Sequence, residues 1–353
     1  MAMIGMIGSH SAEEIALAAK RAGFETFVFC QQNREKLYSS YNRFLYDEIM
    51  VLPEFSSILD HQDYLEEKNV IFIPNRSFAV YLGYDLIEKE LRTPIYGNRA
   101  MLRIEDRKFE RNQNWLLAEA GIRKPKQFSP SDIPALAIVK AQQKHNQLER
   151  AFFYVASPDD YDEKTAQLVK SDVVAEEDLK NAIIEEFVLG PRFNANVQSY
   201  ALIDQFGDFD FVGFDDRLQS NLAGILNLPA RDQLQVEIPL KNEEVGHFGV
   251  TMRESKKPMV YDAAYKFLRA SEKHFPPGMI GLFSLQGAIN EHSEFVVFDV
   301  SPRVPGSPCV GPTSPEMARI SFRLNRKIES ALDLSMLELK YAIEQHRVEE
   351  VTT

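Results

Sequence analysis

The sequence predicts an α/β unit on a doubly wound, mostly parallel sheet, followed by an α+β region. Over residues 1–97 short apolar strands alternate with helical stretches, as parallel strands require because each crossover carries a helix. Near residue 190 the strands lengthen and the regular alternation stops. No apolar run approaches the ~20 residues of a bilayer-spanning helix, and a basic-then-apolar leader pattern is missing at the N-terminus.

Met3–Gly8 reads as the first strand. Ser11–Ala22 follows as a helix, with Ile15, Ala18, Ala19 and Ala22 at helical spacing and Gly23 at the C-cap position. Thr26–Cys30, Glu48–Leu52 and Val70–Pro74 are further strands, and Ile95–Tyr96 is a possible fifth. Asn112–Ala120 is a helix ending at Gly121. Ala137–Lys140, Arg150–Ala156 and Ala182–Leu189 are strands, with an acidic helical stretch between the last two. The longer strands are Phe193–Ile203, Phe209–Phe214, Phe248–Met252, Gly281–Ile289 and Glu294–Val300, interrupted by a helix at Lys257–Phe275. Helices near Pro315–Leu332 and Met336–Arg347 close the chain. The expected units are 1–98, 99–190 and 191–353.

With 353 residues, 44% hydrophobic and 26% charged, the composition is that of a globular protein with a sizeable core. A net charge of −12 argues against a nucleic-acid surface but leaves room for small anions held by local basic groups. Of the cysteines, Cys30 ends a buried-type strand as an inert thiol, and Cys309 has no evident activating partner. Neither spacing suggests zinc, so a reduced, cytoplasmic compartment is expected.

Chemistry-bearing residues gather at strand ends. In Phe295–Arg303 an apolar strand runs into Asp299, Ser301 and Arg303, alternate residues that share a face while the chain stays extended. An oxygen-ligand pair beside an arginine suits Mg²⁺-nucleotide chemistry; an edge strand entering a Pro-rich turn would read the same. Gly8-Ser-His-Ser-Ala12 joins the first strand to the first helix, where open α/β sheets bind ligands. Ser11 and Glu14 there have capping-box spacing, so plain capping, with His10 a surface residue, is the competing reading. Pro74-Asn-Arg-Ser-Phe78 lies on the same sheet edge; Arg76 suits an anion, and Asn75 or Ser77 would serve equally as a cap. Lys140 ends an apolar strand, either reaching a phosphate or ending in solvent. Glu185 and Glu186 face opposite sides of one strand, so at most one is buried. The polar stretch Asp215–Asn221 and the Gly246-His247 pair are ambiguous.

In order along the chain, these segments resemble the ATP-grasp ligases, and most sharply the archaeal PurP family of formate-dependent ligases in purine synthesis. Carrying the resemblance are Gly8–Ala12, Pro74–Val80, Glu185–Gly190, Arg217-Leu-Gln-Ser-Asn221, Val245–Phe248, Arg253-Glu-Ser255, Phe275-Pro-Pro-Gly278 and Asp299–Arg303. It implies ligation of formate to the amine of 5-aminoimidazole-4-carboxamide ribonucleotide (AICAR), giving FAICAR, with ATP consumed through formyl phosphate. It further implies Mg²⁺ or Mn²⁺, small-molecule partners, no nucleic acid or membrane, and a homo-oligomer.

By the same resemblance, Ser9, His10, Ser11, Arg76, Ser77, Arg217 and Asn221 bind the substrate. Arg107 or Lys108, Lys140, Glu185, Glu186 and Val188 hold ATP. Asp299, Ser301 and Gln286 hold the metal, and Arg303 stabilises the transferring phosphoryl group. The sequence departs from the family in a glycine-free lid at Ala141–Glu149, in Leu218 where a second arginine is expected, and in a short tail after Pro308. These departures keep open a paralogue with another acid–amine pair, or a nucleotide-binding protein without turnover. A nicotinamide-dependent dehydrogenase is disfavoured, because the glycine fingerprint is missing.

Overall fold

The computed structural model describes residues 2–142, 150–219, 224–235, 244–306 and 314–353. Asn221, Cys309 and the glycine-free residues 143–149 lie outside the described residues.

The first sheet is parallel, in the order β3-β2-β1-β4, with β1 at Met3–Ile7, β2 at Glu25–Gln31, β3 at Glu48–Leu52 and β4 at Val70–Phe72. Strand β1 is buried along its whole length, which is why its sequence is a continuous apolar run. The helix Ala12–Ala22 buries Ile15, Ala18 and Ala19 and stops at Gly23, whose φ of 88° is a left-handed value that glycine adopts without Cβ strain. Ile95–Tyr96 is not a full strand: Ile95 makes one parallel bridge to Phe72, and Tyr96 bridges Thr352. The C-terminus thus extends this sheet, through Ile95 and Thr353 bonded in both directions at 3.1 and 3.0 Å.

The second sheet is antiparallel, in the order β5-β8-β6-β7: β5 Gln127–Phe128, β6 Ala137–Gln142, β7 Arg150–Val155 and β8 Ile183–Glu186. Its small core contains Ile133, Val139, Val155 and Ile184. The third sheet is also antiparallel, in the order β11-β10-β9-β12-β13: β9 Arg192–Ser199, β10 Phe209–Gln219, β11 Glu244–Val250, β12 Gly281–Ile289 and β13 Phe295–Ser301. The helix Lys257–His274 buries Val260, Ala264, Phe267 and Leu268 in one core with Phe211, Phe283 and Leu285.

Two expectations are corrected. Strand β11 begins at Glu244, before the apolar stretch expected to define it, because its polar residues pair with β10 along a sheet edge. The stretch Pro315–Leu332 is not one helix. It ends at Arg323, and a second helix, Ala331–Glu344, starts where Asp333 accepts the Ser330 backbone N–H at 3.0 Å. Leu334, Met336 and Leu339 of that second helix share one core with Ile4 and Ile15 of the first sheet.

Candidate active site

Residues of the second and third sheets enclose a cavity of about 160 Å³. Its lining includes Arg107, Lys140, Glu185, Glu186, Val188, Arg217, Gln286, Phe298 and Asp299. Lys140 and Glu185 form a buried ion pair in the wall, so the lysine is partnered and does not end in solvent. Glu186 points the other way, as alternation requires. It accepts the Lys126 backbone N–H at 3.0 Å and pairs with Arg123 at 2.9 Å. Its partial burial favours the neutral acid, but these two partners prevail and hold its pKa below the ordinary value. Arg107 lines the cavity, whereas Lys108 is exposed and donates its backbone N–H to Asp106 at 2.9 Å.

A β-bulge shapes the far end. The register shifts between Gln286 and Gly287, so Phe298 is an extra residue on β13, and the consecutive Phe298 and Asp299 both reach the cavity. Asp299 accepts from Gln113 Nε2 at 2.6 Å and stands opposite Gln286 in register. Gln286 is committed on both sides: its carbonyl accepts from Arg217, and its Nε2 donates to Ser301 Oγ at 3.0 Å. Ser301 is therefore buried behind Gln286 and does not line the cavity.

The expectation that Asp299, Ser301 and Arg303 share one site is corrected. Strand β13 ends at Ser301, and Pro302 interrupts the alternation. Arg303 instead pairs with Glu105 at 2.8 Å, buried at the seam with the first sheet. There Val304 N–H donates to Pro74 O at 3.1 Å.

That seam gathers the N-terminal loops. Ser77 Oγ donates to Ser9 Oγ at 2.6 Å, and Asn75 Nδ2 donates to the His10 carbonyl at 2.8 Å. Asn75 also caps the helix Arg76–Leu82 by accepting the Phe78 N–H at 3.0 Å, so the cap is Asn75 rather than Ser77. Ser11 does not cap its helix. It sits at φ 65°, and its Oγ donates to Pro305 O at 2.8 Å. His10 is exposed, yet the protein crowding its ring, with Arg76 and Arg303, holds its pKa below the ordinary histidine value against the pull of Glu244.

Glu244, Asn194 and Asn196, which sequence reasoning missed, join Arg217, Asp215 and His247 in one network. Arg217 Nε lies 3.2 Å from Glu244 Oε2, and Glu244 Oε1 lies 2.5 Å from His247 Nε2. His247 Nδ1 is 2.6 Å from Asp215 Oδ2, and Asp215 also accepts from Asn194 at 2.7 Å and Asn196 at 2.6 Å. Burial opposes charge on His247, but the hydrogen bonds to Asp215 and Glu244 outweigh it and raise its pKa to about 9. One signal for this network was present in the sequence: Asn194 and Asn196 alternate with the apolar Phe193, Ala195 and Val197 on one strand.

Asp299 puts a carboxylate of the metal-binding type on the cavity wall, where it also accepts from Gln113 Nε2. Among the described residues no group of three His, Cys, Asp or Glu is arranged to hold a metal ion. One carboxylate fits Mg²⁺ that arrives with ATP phosphates and water, not a cage built wholly from protein.

Fold and site together define an ATP-grasp ligase. N5-carboxyaminoimidazole synthetase from Staphylococcus aureus has the same fold, with a TM-score of 0.59 at 13% identity over 96% of this chain and 77% of that one. The chain belongs to the family of the 5-formaminoimidazole-4-carboxamide-1-(beta)-D-ribofuranosyl 5'-monophosphate synthetases. It is 35% identical to the synthetase of Methanocaldococcus jannaschii over 347 residues, 95% of this chain and 93% of that protein. It is 34% identical to that of Methanopyrus kandleri over 345 residues, 95% and 93% of the two chains. The crystal structure of the IMP biosynthesis protein PurP from Thermococcus kodakaraensis covers 100% of both chains at 26% identity and TM-score 0.71. Two family models also match, "Protein of unknown function (DUF1246)" over residues 4–128 and "Domain of unknown function (DUF1297)" over 160–353. Among the described residues, no helix is long and apolar enough to cross a membrane.

Proposed function

We infer that this protein is an ATP-dependent C–N ligase of IMP biosynthesis. It joins formate to the amine of AICAR and releases FAICAR, ADP and phosphate. The observation that carries this is the near-full-length kinship with FAICAR synthetases, in a chain whose cavity is lined by Arg217, itself paired with the Glu244 that faces His10.

Formate is a poor electrophile and the aminoimidazole nitrogen a weak nucleophile. Phosphorylation of formate supplies a leaving group, and a cavity closed to water protects the acyl phosphate. In our reading Lys140, Glu185, Glu186, Val188 and Arg107 hold ATP. Asp299, with Gln286 beside it, takes the metal, and Mg²⁺ bound with the nucleotide neutralises phosphate charge. Ser9, His10, Ser11, Arg76 and Ser77 receive AICAR, with Arg217 between the two pockets. Arg303 acts on the AICAR side, where its guanidinium lies near His10. We keep 1–98, 99–190 and 191–353 as working units. A homo-oligomer, measurable by light scattering, and a cytoplasmic location where the charged substrates are available complete the proposal.

The test is direct. The protein is mixed with ATP, Mg²⁺, formate and AICAR, and ADP and FAICAR are quantified. Formate-dependent ADP release with stoichiometric FAICAR is expected; no FAICAR above the enzyme-free control sinks the reading.

A further inference from the structure

We propose that Glu244 is the carboxylate that receives the proton of the attacking amine, and that His247 is the residue positioning it. This rests on the formate–AICAR reading above and assigns a role to residues outside the nucleotide cavity.

Glu244 stands at the junction of the two pockets. One oxygen faces Arg217, which lines the nucleotide cavity, and the other meets His247. On the other side is the His10 loop. A Cβ built on Gly306 would lie 3.1 Å from Glu244 Oε1, 3.8 Å from His247 Nε2 and 4.0 Å from His10 Nδ1. The three groups therefore surround one point, and glycine at 306 keeps that point open.

The other candidates there are committed. A neutral imidazole has one N–H, yet both ring nitrogens of His247 face carboxylate oxygens, at 2.6 and 2.5 Å. With both carboxylates ionised, that arrangement takes the doubly protonated ring, which donates and cannot accept. Asp215 is fully buried and receives Asn194, Asn196 and His247. Glu105 is tied to Arg303, and Asp299 lies in the nucleotide cavity on Gln113. Among the described residues, Glu244 is the carboxylate at the junction with accepting capacity left. A carboxylate offers about four lone-pair sites, and Arg217 and His247 face two of them.

The chemistry matches the position. His10, Arg76, Arg303, Arg217 and His247 supply positive or donating groups for anionic substrates, but an attacking amine needs an acceptor. Burial favours the neutral form of Glu244, yet His247 and Arg217 overcome it and keep its pKa below the ordinary value, so the acid is ionised at working pH. A weak base suffices, because the nitrogen becomes strongly acidic once it bonds to the formyl carbon. In the step, the amine lone pair forms the C–N bond. The C–O bond to phosphate breaks, its electron pair leaving on phosphate, and one N–H proton passes to Glu244 Oε1. Asp215 holds His247, and His247 fixes the rotamer of Glu244.

The test compares wild type, Glu244→Gln, Glu244→Asp and His247→Gln, with ATP and formate, with and without AICAR, reading ADP and FAICAR in one sample. For Glu244→Gln, FAICAR formation is expected to fall about 100-fold, the scale of lost acid–base assistance. Formate-dependent ADP release should fall much less, so ADP released per FAICAR rises at least about tenfold. Glu244→Asp recovers part of the coupling. His247→Gln raises the same ratio while the KM for ATP stays within about twofold, a split that a general loss of structure would not give. If Glu244→Gln fails to fold, the Glu244→Asp ratio is read instead. Equal falls in ADP release and FAICAR, or a wild-type FAICAR rate in Glu244→Gln, overturns the proposal. Absence of FAICAR from the wild type overturns the functional reading instead.

Discussion

Ser11 donates its hydroxyl to the carbonyl of Pro305 at 2.8 Å, tying the first strand-to-helix loop to the segment after the last strand. The bond replaces the helix cap that the Ser11–Glu14 spacing suggests, and it ties the His10 loop to the Pro305–Gly306 segment. Ser11→Ala should lower stability by about 1 kcal/mol, the usual net worth of one hydrogen bond. It should raise the KM for AICAR several-fold and leave that for ATP unchanged. Urea unfolding and initial-rate kinetics measure both.

The buried Lys140–Glu185 pair gives a second prediction. Lys140→Met leaves an uncompensated buried carboxylate and should cost about 3–5 kcal/mol. Lys140→Met combined with Glu185→Leu should recover most of that loss, because no buried charge remains. Both proteins should lose the rise in melting temperature that ATP gives the wild type, as seen by differential scanning fluorimetry.

Asp299→Asn tests the metal end. The amide can still accept from Gln113, so the melting temperature should hold within about 2 °C. The negative charge is lost, so the Mg²⁺ concentration for half-maximal activity should rise about tenfold, with kcat down about 100-fold. An unchanged Mg²⁺ titration would remove Asp299 from the metal site.

His247 sets a pH dependence of stability. Its folded pKa, about 9, lies above the ordinary 6.5, so its contribution is complete below pH 6.5 and disappears as pH rises through 9. That lift corresponds to about 3 kcal/mol. Denaturant midpoints measured from pH 6 to 10 should fall over this range in the wild type. In His247→Gln the fall should be much smaller.

Gly190 joins β8 to β9, and a Cβ there would sit 1.9 Å from the Ile289 backbone carbonyl. Backbone cannot yield as a flexible side-chain tip does, so Gly190→Ala should cost at least about 2 kcal/mol. It should also weaken ATP binding by displacing the cavity wall, and calorimetric titration with ATP reads that loss.

Much of the fold was legible because burial writes itself into local sequence. Met3–Ile7 is buried end to end and reads as an apolar run, and Gly23 marks its helix end by chain geometry. Glu185 and Glu186 were legible too, since alternation alone sends them to opposite partners. Strand β11 was misplaced because an edge strand need not be apolar, and its pairing with β10 comes from hydrogen bonds that leave no residue pattern.

The sequence by itself determined a parallel α/β unit followed by an α+β region, the family, and the residue types gathered at the strand ends. Those follow from side-chain periodicity and from motifs short enough to read locally. Only the tertiary structure decided which of those residues meet. The bulge at Phe298 and the strand end before Pro302 turn Asp299 toward the cavity lined by Lys140 and Arg217, and Arg303 toward Glu105. Asp215, His247, Glu244 and Arg217 become one chain of alternating charge because β10 and β11 pair in a particular register. Register, bulges and buried partners depend on contacts between residues distant in sequence, and no local pattern encodes the choice of partner.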